Sequence, residues 1–190
     1  MRWLKVFVFL ACLVPLGLLA YGSQTDGLGA NPIEYITRAT GTWTLRFLLI
    51  SLTITPARRI LNQPKLIAFR RMLGLFAFFY GVLHLTTWLW LDKFFDPREM
   101  LADLTKRRFI MMGMFAFLLL VPLAVTSTKG WIRRLGKNWG KLHRLVYVST
   151  LAGVIHYWWL VKSDIRLPLL YGAILTTLML ARWRKKQRRA

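Results

Sequence analysis

Hydrophobic residues run along this chain in six long blocks, separated by shorter segments rich in charge, glycine and proline. The blocks cover roughly residues 6–22, 41–56, 72–91, 109–126, 142–161 and 167–182. Most approach the ~20 residues that an α-helix needs to cross ~30 Å of hydrocarbon. The pattern therefore predicts an all-α integral membrane protein, a six-transmembrane-helix bundle making one domain of the 190 residues. The second block is the shortest, carries Arg46, and is expected to end at Pro56, which cannot continue the helical ladder. Residues 22–40, with Gly27, Gly29 and Pro32, read as an irregular loop. The mixed-charge segment 92–108 has room for a short interfacial helix, and the brief connection 162–166 makes the last two spans antiparallel neighbours. No internal repeat, low-complexity tract, phosphate loop or dinucleotide fingerprint is readable.

Composition supports the same class, with 56% hydrophobic residues and a mean hydropathy of +0.43. The first block could be a signal peptide, but Leu18 and Ala20 make a poor small-x-small cleavage site, and retention as a span is the reading adopted. Cys12 is the only cysteine. Neither an internal disulfide nor a thiolate cluster can form, and a small buried role is expected.

The net charge of +21 raises nucleic acid as a partner, but the distribution of charge argues for topology instead. With the loops assigned alternately to two sides, one side collects eighteen Lys and Arg residues, including Arg58, Arg59, Arg70, Arg71, Arg133, Arg134 and the tail from Arg182 to Arg189. All seven acids fall on the other side with eight cations. The positive-inside rule then places both termini in the cytoplasm. The basic face suits anionic membrane lipids and could also dock an acidic soluble partner.

The candidate chemistry lies in three histidines, each with glycine three positions earlier: Gly81 before His84, Gly140 before His143, and Gly153 before His156. On a helix these positions share a face, so each imidazole is expected to have bare backbone beside it for a flat macrocycle. Polar side chains inside a membrane are costly and usually functional. The third and fifth spans run in the same direction, and His84 and His156 both lie toward their outer ends. The pair can clamp one heme iron from opposite sides. His143 lies thirteen residues before His156, roughly 20 Å away along a helix axis, and suits a second, inner heme. Arg70 is level with His143 and shares a face with His84, since fourteen residues fall only ~40° short of four turns. It could sit in the inner heme pocket, pair with a propionate, or serve topology alone. Thirteen residues fall ~140° short, so either the fifth span distorts, with Gly153 the expected place, or its hemes approach from different flanks. Arg46 could bind outer-heme propionates or snorkel to the surface. Tyr80 and Thr86 are candidate pocket residues.

With these residues in view, the chain resembles the heme-binding membrane subunits of bacterial protein-methionine-sulfoxide reductase systems, the MsrQ (YedZ) family. That family lies within the ferric-reductase-like transmembrane superfamily. The matching stretches are Gly41-Thr-Trp-Thr-Leu-Arg46, Thr55-Pro-Ala-Arg-Arg59, Arg70-Arg-Met-Leu-Gly-Leu75, Leu83-His84, Pro122-Leu-Ala-Val-Thr126, Arg134-Leu-Gly-Lys-Asn-Trp139, Leu142-His-Arg-Leu-Val-Tyr147 and His156-Tyr157. The superfamily places two histidines on each of the third and fifth spans, whereas Arg70 stands at the first of these positions here. Lys106-Arg107-Arg108-Phe109 replaces the family's Lys-Arg-Pro-Phe/Tyr.

The resemblance implies b-type heme, FMN, and a multi-pass protein of the bacterial inner membrane. It implies electron delivery to a periplasmic molybdenum-containing reductase that repairs methionine sulfoxide in envelope proteins. Without a nicotinamide-binding module, the donor is expected to be a cytoplasmic flavin reductase or quinol, and no substrate chemistry is expected of the chain itself. Two other readings remain open on the residues alone. One is a ferric or superoxide-type reductase core with a small-molecule acceptor, and the other is a non-redox membrane protein with structural histidines.

Overall fold

The computed structural model describes residues 2–187, and among them the fold is wholly helical. The helices are α1 (Arg2–Gln24), α2 (Pro32–Ile60), α3 (Ile67–Thr86), α4 (Pro97–Lys106), α5 (Arg108–Val125), α6 (Lys129–Leu135), α7 (Lys137–Leu142), α8 (Leu145–Leu160) and α9 (Arg166–Gln187). A wider π turn, Thr87–Asp92, continues α3. Arg188 and Arg189 of the basic tail lie outside the described residues. Among the described residues three segments are long and apolar enough to cross a membrane: Arg2–Gln24, Pro64–Asp92 and Arg108–Val125.

The most extensive helix packing is within two antiparallel pairs, α2 with α3 and α5 with α8. Helix α9 lies against α8 and α2, and α1 against α3 and α2. Leu45, Leu48 and Leu52 recur at helical spacing on α2 and meet Leu73, Phe76, Ala77 and Tyr80 of α3, Leu120 of α5 and Tyr171 and Leu175 of α9 in one core. Cys12 is buried in the same cluster, as its size and apolar surroundings led us to expect.

Several boundaries differ from the sequence reading for identifiable reasons. Helix α2 starts at Pro32, nine positions before the apolar block. Asn31 caps it, its Oδ1 accepting from the Glu34 amide at 3.2 Å and its Nδ2 donating to the Glu34 carboxylate at 3.1 Å. With proline at the first helical position, this is a strong start signal. At its other end α2 continues through Pro56 to Ile60. Pro56 has no amide to give to the Leu52 carbonyl, and that carbonyl instead accepts from Nη2 of Arg182 on α9. A side chain from the last helix thus fills the gap the proline opens. The helix ends only where Asn62 takes a left-handed φ of 48°. A related repair occurs in α1 near Pro15. The Tyr80 hydroxyl accepts from the Leu16 amide at 3.1 Å and donates to the Cys12 carbonyl at 2.9 Å, entering the helical ladder between them.

A short helix is present in 92–108, as expected: α4, capped by Asp96, whose Oδ1 accepts from the Arg98 amide at 2.8 Å. The fifth span does not distort at Gly153. It breaks at His143–Arg144, between α7 and α8, so His143 stands on a helix end rather than within a span.

Replacing Arg182 by Met keeps the aliphatic stem but leaves the Leu52 carbonyl without a partner. A lost charge-assisted bond to a buried acceptor is worth about 2 kcal/mol, so thermal unfolding in detergent should show the variant destabilised by about that amount.

Candidate functional site

His84 and His156 come together at the end of the bundle where α2 and α5 begin and α3 and α8 finish. Their ring centres are 6.1 Å apart, with the ring planes at 71°. His84 Nδ1 lies 2.9 Å from the Thr37 carbonyl of α2, and His156 Nδ1 lies 2.6 Å from the Phe109 carbonyl of α5. A carbonyl oxygen can only accept, so each Nδ1 carries the proton and each Nε2 keeps an open lone pair. Metal-binding histidines are oriented in this way by a bond from the second nitrogen to a backbone carbonyl. A metal–imidazole bond is ~2 Å long, so two rings on opposite sides of one iron hold their centres roughly 6 Å apart. In donor type, tautomer and separation, the pair fits a bis-imidazole heme.

Glycines do line these imidazoles, but not the ones three residues earlier. A Cβ on Gly41 would lie 2.9 Å from His84 Cε1, and one on Gly113 would lie 2.8 Å from His156 Nδ1. Gly81 instead faces Phe117 and Thr44, Gly153 faces Leu45, and Gly140 has open space around it. The bare backbone comes from the neighbouring helix of each pair. Spacing along one helix holds no signal for a contact made between two, so Gly41 and Gly113 were missed.

His143 has a different setting. It lies at the opposite end of the bundle, with the Trp139 ring stacked on it at 3.9 Å. Its Nε2 is 3.1 Å from Thr126 Oγ1. That hydroxyl donates its proton to the Pro122 carbonyl at 2.6 Å, so it accepts from His143, whose Nε2 carries the hydrogen. The tautomer is the reverse of the outer pair, and among the described residues no second imidazole stands opposite. As placed, His143 does not present Nε2 to an iron. Arg70 is within electrostatic reach of His143, and Arg59 and Arg70 are within reach of Arg182. The Arg182 guanidinium packs on the Tyr147 ring and donates to its hydroxyl.

Arg46 is half-buried and does not stand free. Its Nε donates to the Tyr171 hydroxyl of α9 at 3.0 Å, and its guanidinium lies 4.8 Å from the Trp43 ring centre. Tyr171 packs in turn on Tyr157, the residue after His156. Tyr80, fully buried one turn before His84, is committed to α1, and Thr86 is exposed. Among the described residues no three His, Cys, Asp or Glu side chains converge on a metal-ion site.

Residues 40–154 match the family described as "Ferric reductase like transmembrane component". Three relatives named "Protein-methionine-sulfoxide reductase heme-binding subunit MsrQ" align over nearly the whole chain. The protein from Herminiimonas arsenicoxydans is 54% identical over 97% of this chain and 88% of its own. That from Caulobacter vibrioides is 52% identical over 93% and 84%, and that from Bordetella pertussis 47% identical over 96% and 92%. The chain belongs to the MsrQ family of ferric-reductase-like transmembrane proteins. It is accordingly a membrane protein, and α1 and α5 leave apolar side chains such as Phe7, Leu10 and Leu118 exposed on the bundle. No solved structure matches.

The loop after α3 and its π turn is braced by charge. Lys93, its side chain only 11% exposed, pairs with Asp103 at 2.9 Å and lies within 3.7 Å of Asp92 and Glu99, while Arg107 meets Asp103 at 3.1 Å. The hydrogen bond to Asp103, and then the other carboxylates, hold the Lys93 ammonium above its ordinary value of 10.5. A cation whose proton is bound more tightly in the folded state stabilises fully below its unfolded pKa and loses this contribution as pH climbs through the folded one. On the alkaline side the brace should therefore persist from neutral pH upward and weaken above 10.5. Lys93→Met strands a buried carboxylate beside Arg107 alone and should cost about 3 kcal/mol, measured by thermal unfolding at pH 7.

Proposed function

We propose that the protein is the heme-carrying electron-transfer subunit of a methionine sulfoxide reductase system, holding a b-type heme between His84 and His156. The observation that carries this reading is the facing pair itself: two imidazoles 6.1 Å apart, each with Nδ1 tied to a carbonyl and Nε2 open. The relatives' printed names, heme-binding subunits of that reductase, supply the system. A heme held here supplies one-electron chemistry, its iron cycling between ferric and ferrous states. The protein's share is to fix the axial ligands, exclude water and tune the site by burial. It makes and breaks no substrate bonds.

In the orientation that the positive-inside rule favours, six spans of one domain cross the bacterial inner membrane with both termini cytoplasmic, and the His84–His156 end faces the periplasm. From there electrons pass to a periplasmic molybdenum-containing reductase that repairs methionine sulfoxide. They enter on the basic cytoplasmic side, from a flavin reductase or from quinol. Arg59, Arg70 and Arg182 gather at that end and suit the phosphate of FMN, a cofactor whose assignment rests on family resemblance. A second heme on His143 requires its Nε2 to leave Thr126. Arg70 then stands close enough to offset a propionate, as Arg46 does at the outer end.

Purified holoprotein should show a low-spin heme spectrum. His84→Ala and His156→Ala should each abolish it, whereas His143→Ala should leave it in place and remove any second heme. Optical and electron paramagnetic resonance spectra, with heme quantified per polypeptide, make the check. A low-spin signal retained in either outer variant overturns the pairing. Heme reoxidation should slow when the periplasmic reductase is deleted, and an unchanged rate would favour a small-molecule acceptor.

A further inference from the structure

The two imidazoles are held by the same device, and the device recurs at a fixed offset in the chain. Each Nδ1 bond to a carbonyl spans 47 positions. The glycine against each ring lies four residues beyond that carbonyl: Thr37 and Gly41 for His84, Phe109 and Gly113 for His156. All of these positions, and Gly81 with Gly153, are separated by 72 residues (37 to 109, 41 to 113, 81 to 153, 84 to 156). The buried leucines Leu48 and Leu120 keep the same offset. The pairs α2–α3 and α5–α8 are thus two copies of one helical hairpin, although the sequence alone shows no repeat. The copies diverge at the other end. Helix α3 runs unbroken through Arg71, the position that matches His143, where the second copy breaks.

The device has a simple physical basis. A helical carbonyl points toward the residue four positions on, so a glycine there removes the one Cβ that would block a neighbouring side chain from reaching that carbonyl. A methyl at Gly41 would meet His84 Cε1 at 2.9 Å and Nδ1 at 3.0 Å, and one at Gly113 would meet His156 Nδ1 at 2.8 Å and Cε1 at 2.9 Å. Ordinary carbon contacts begin near ~3.5 Å. The clash falls on the ring edge that carries the carbonyl bond, so the ring must slide or turn, and Nε2 must move with it. Metal bonds tolerate only ~0.2 Å of such movement.

The geometry points to Gly41 and Gly113 as a matched pair of positioning residues, which set the aim of the two imidazoles and leave both carbonyls accessible. This inference rests on the heme reading above. The test compares Gly41→Ala and Gly113→Ala with Gly74→Ala, a glycine on α3 with open space around it, in detergent-purified holoprotein. At unchanged helical circular dichroism, Gly41→Ala and Gly113→Ala should each lose most of the low-spin resonance, while Gly74→Ala keeps it. Wild-type g-values retained in both site variants overturn the inference. A wild-type protein without low-spin heme instead overturns the heme reading, so the two failures are distinct. Should neither site variant fold, wild-type protein carrying ¹⁵N-histidine decides by electron–nuclear double resonance. Two axial imidazoles with slowly exchanging Nδ1 protons and matching couplings support the matched pair, whereas one exposed or unprotonated Nδ1 overturns it.

Discussion

Inside hydrocarbon a backbone carbonyl or amide without a partner costs several kcal/mol, and this constraint organises the molecule. Four of the side chains that enter the ladder of a neighbouring helix do so in α1, α2 and α5. Tyr80 joins the Cys12 carbonyl to the Leu16 amide beside Pro15. Arg182 meets the Leu52 carbonyl that Pro56 leaves open. His84 and His156 take the Thr37 and Phe109 carbonyls beside glycines. These contacts join α1 to α3, α2 to α9, α2 to α3, and α5 to α8. The bonds that orient the imidazoles therefore belong to the same network that holds the bundle together.

The two ends of the bundle differ in kind. At the His84–His156 end each imidazole is protonated on Nδ1 and keeps Nε2 free of a protein hydrogen bond. At the other end His143 bonds through Nε2 and lies under Trp139, in a break between helices, with arginines nearby. The first arrangement sets two Nδ1-protonated imidazoles with their ring centres 6.1 Å apart. The second is a polar junction that ties α7 to the end of α5, for Trp139 also donates to the Thr126 carbonyl at 2.9 Å.

Much of this was legible in the sequence, for reasons particular residues make plain. His84 and His156 stood out because an imidazole in an apolar block is rare and costly, and their shared depth followed from counting residues along two parallel spans. Cys12 and the helix in 92–108 followed from composition and local signals. Pro56 misled because its effect depends on Arg182, 130 positions away. The start of α2 misled because its Asn31-Pro32 cap lies in a polar stretch well before the apolar block. The glycines at the imidazoles were hidden because their contact crosses helices, and the 72-residue offset that links them is carried by too few matching residues to register as a repeat.

The Arg182 contact also bears on how the chain is assembled. Synthesis runs from the N-terminus at ~5–20 residues per second, so the gap at Leu52 stays open for on the order of ten seconds before its partner exists. During that interval α2 carries a bare oxygen at Leu52, tolerable only in contact with water or the insertion machinery. Helix α9 is then a latch of this bundle, closing over α2 only after the intervening helices have been made.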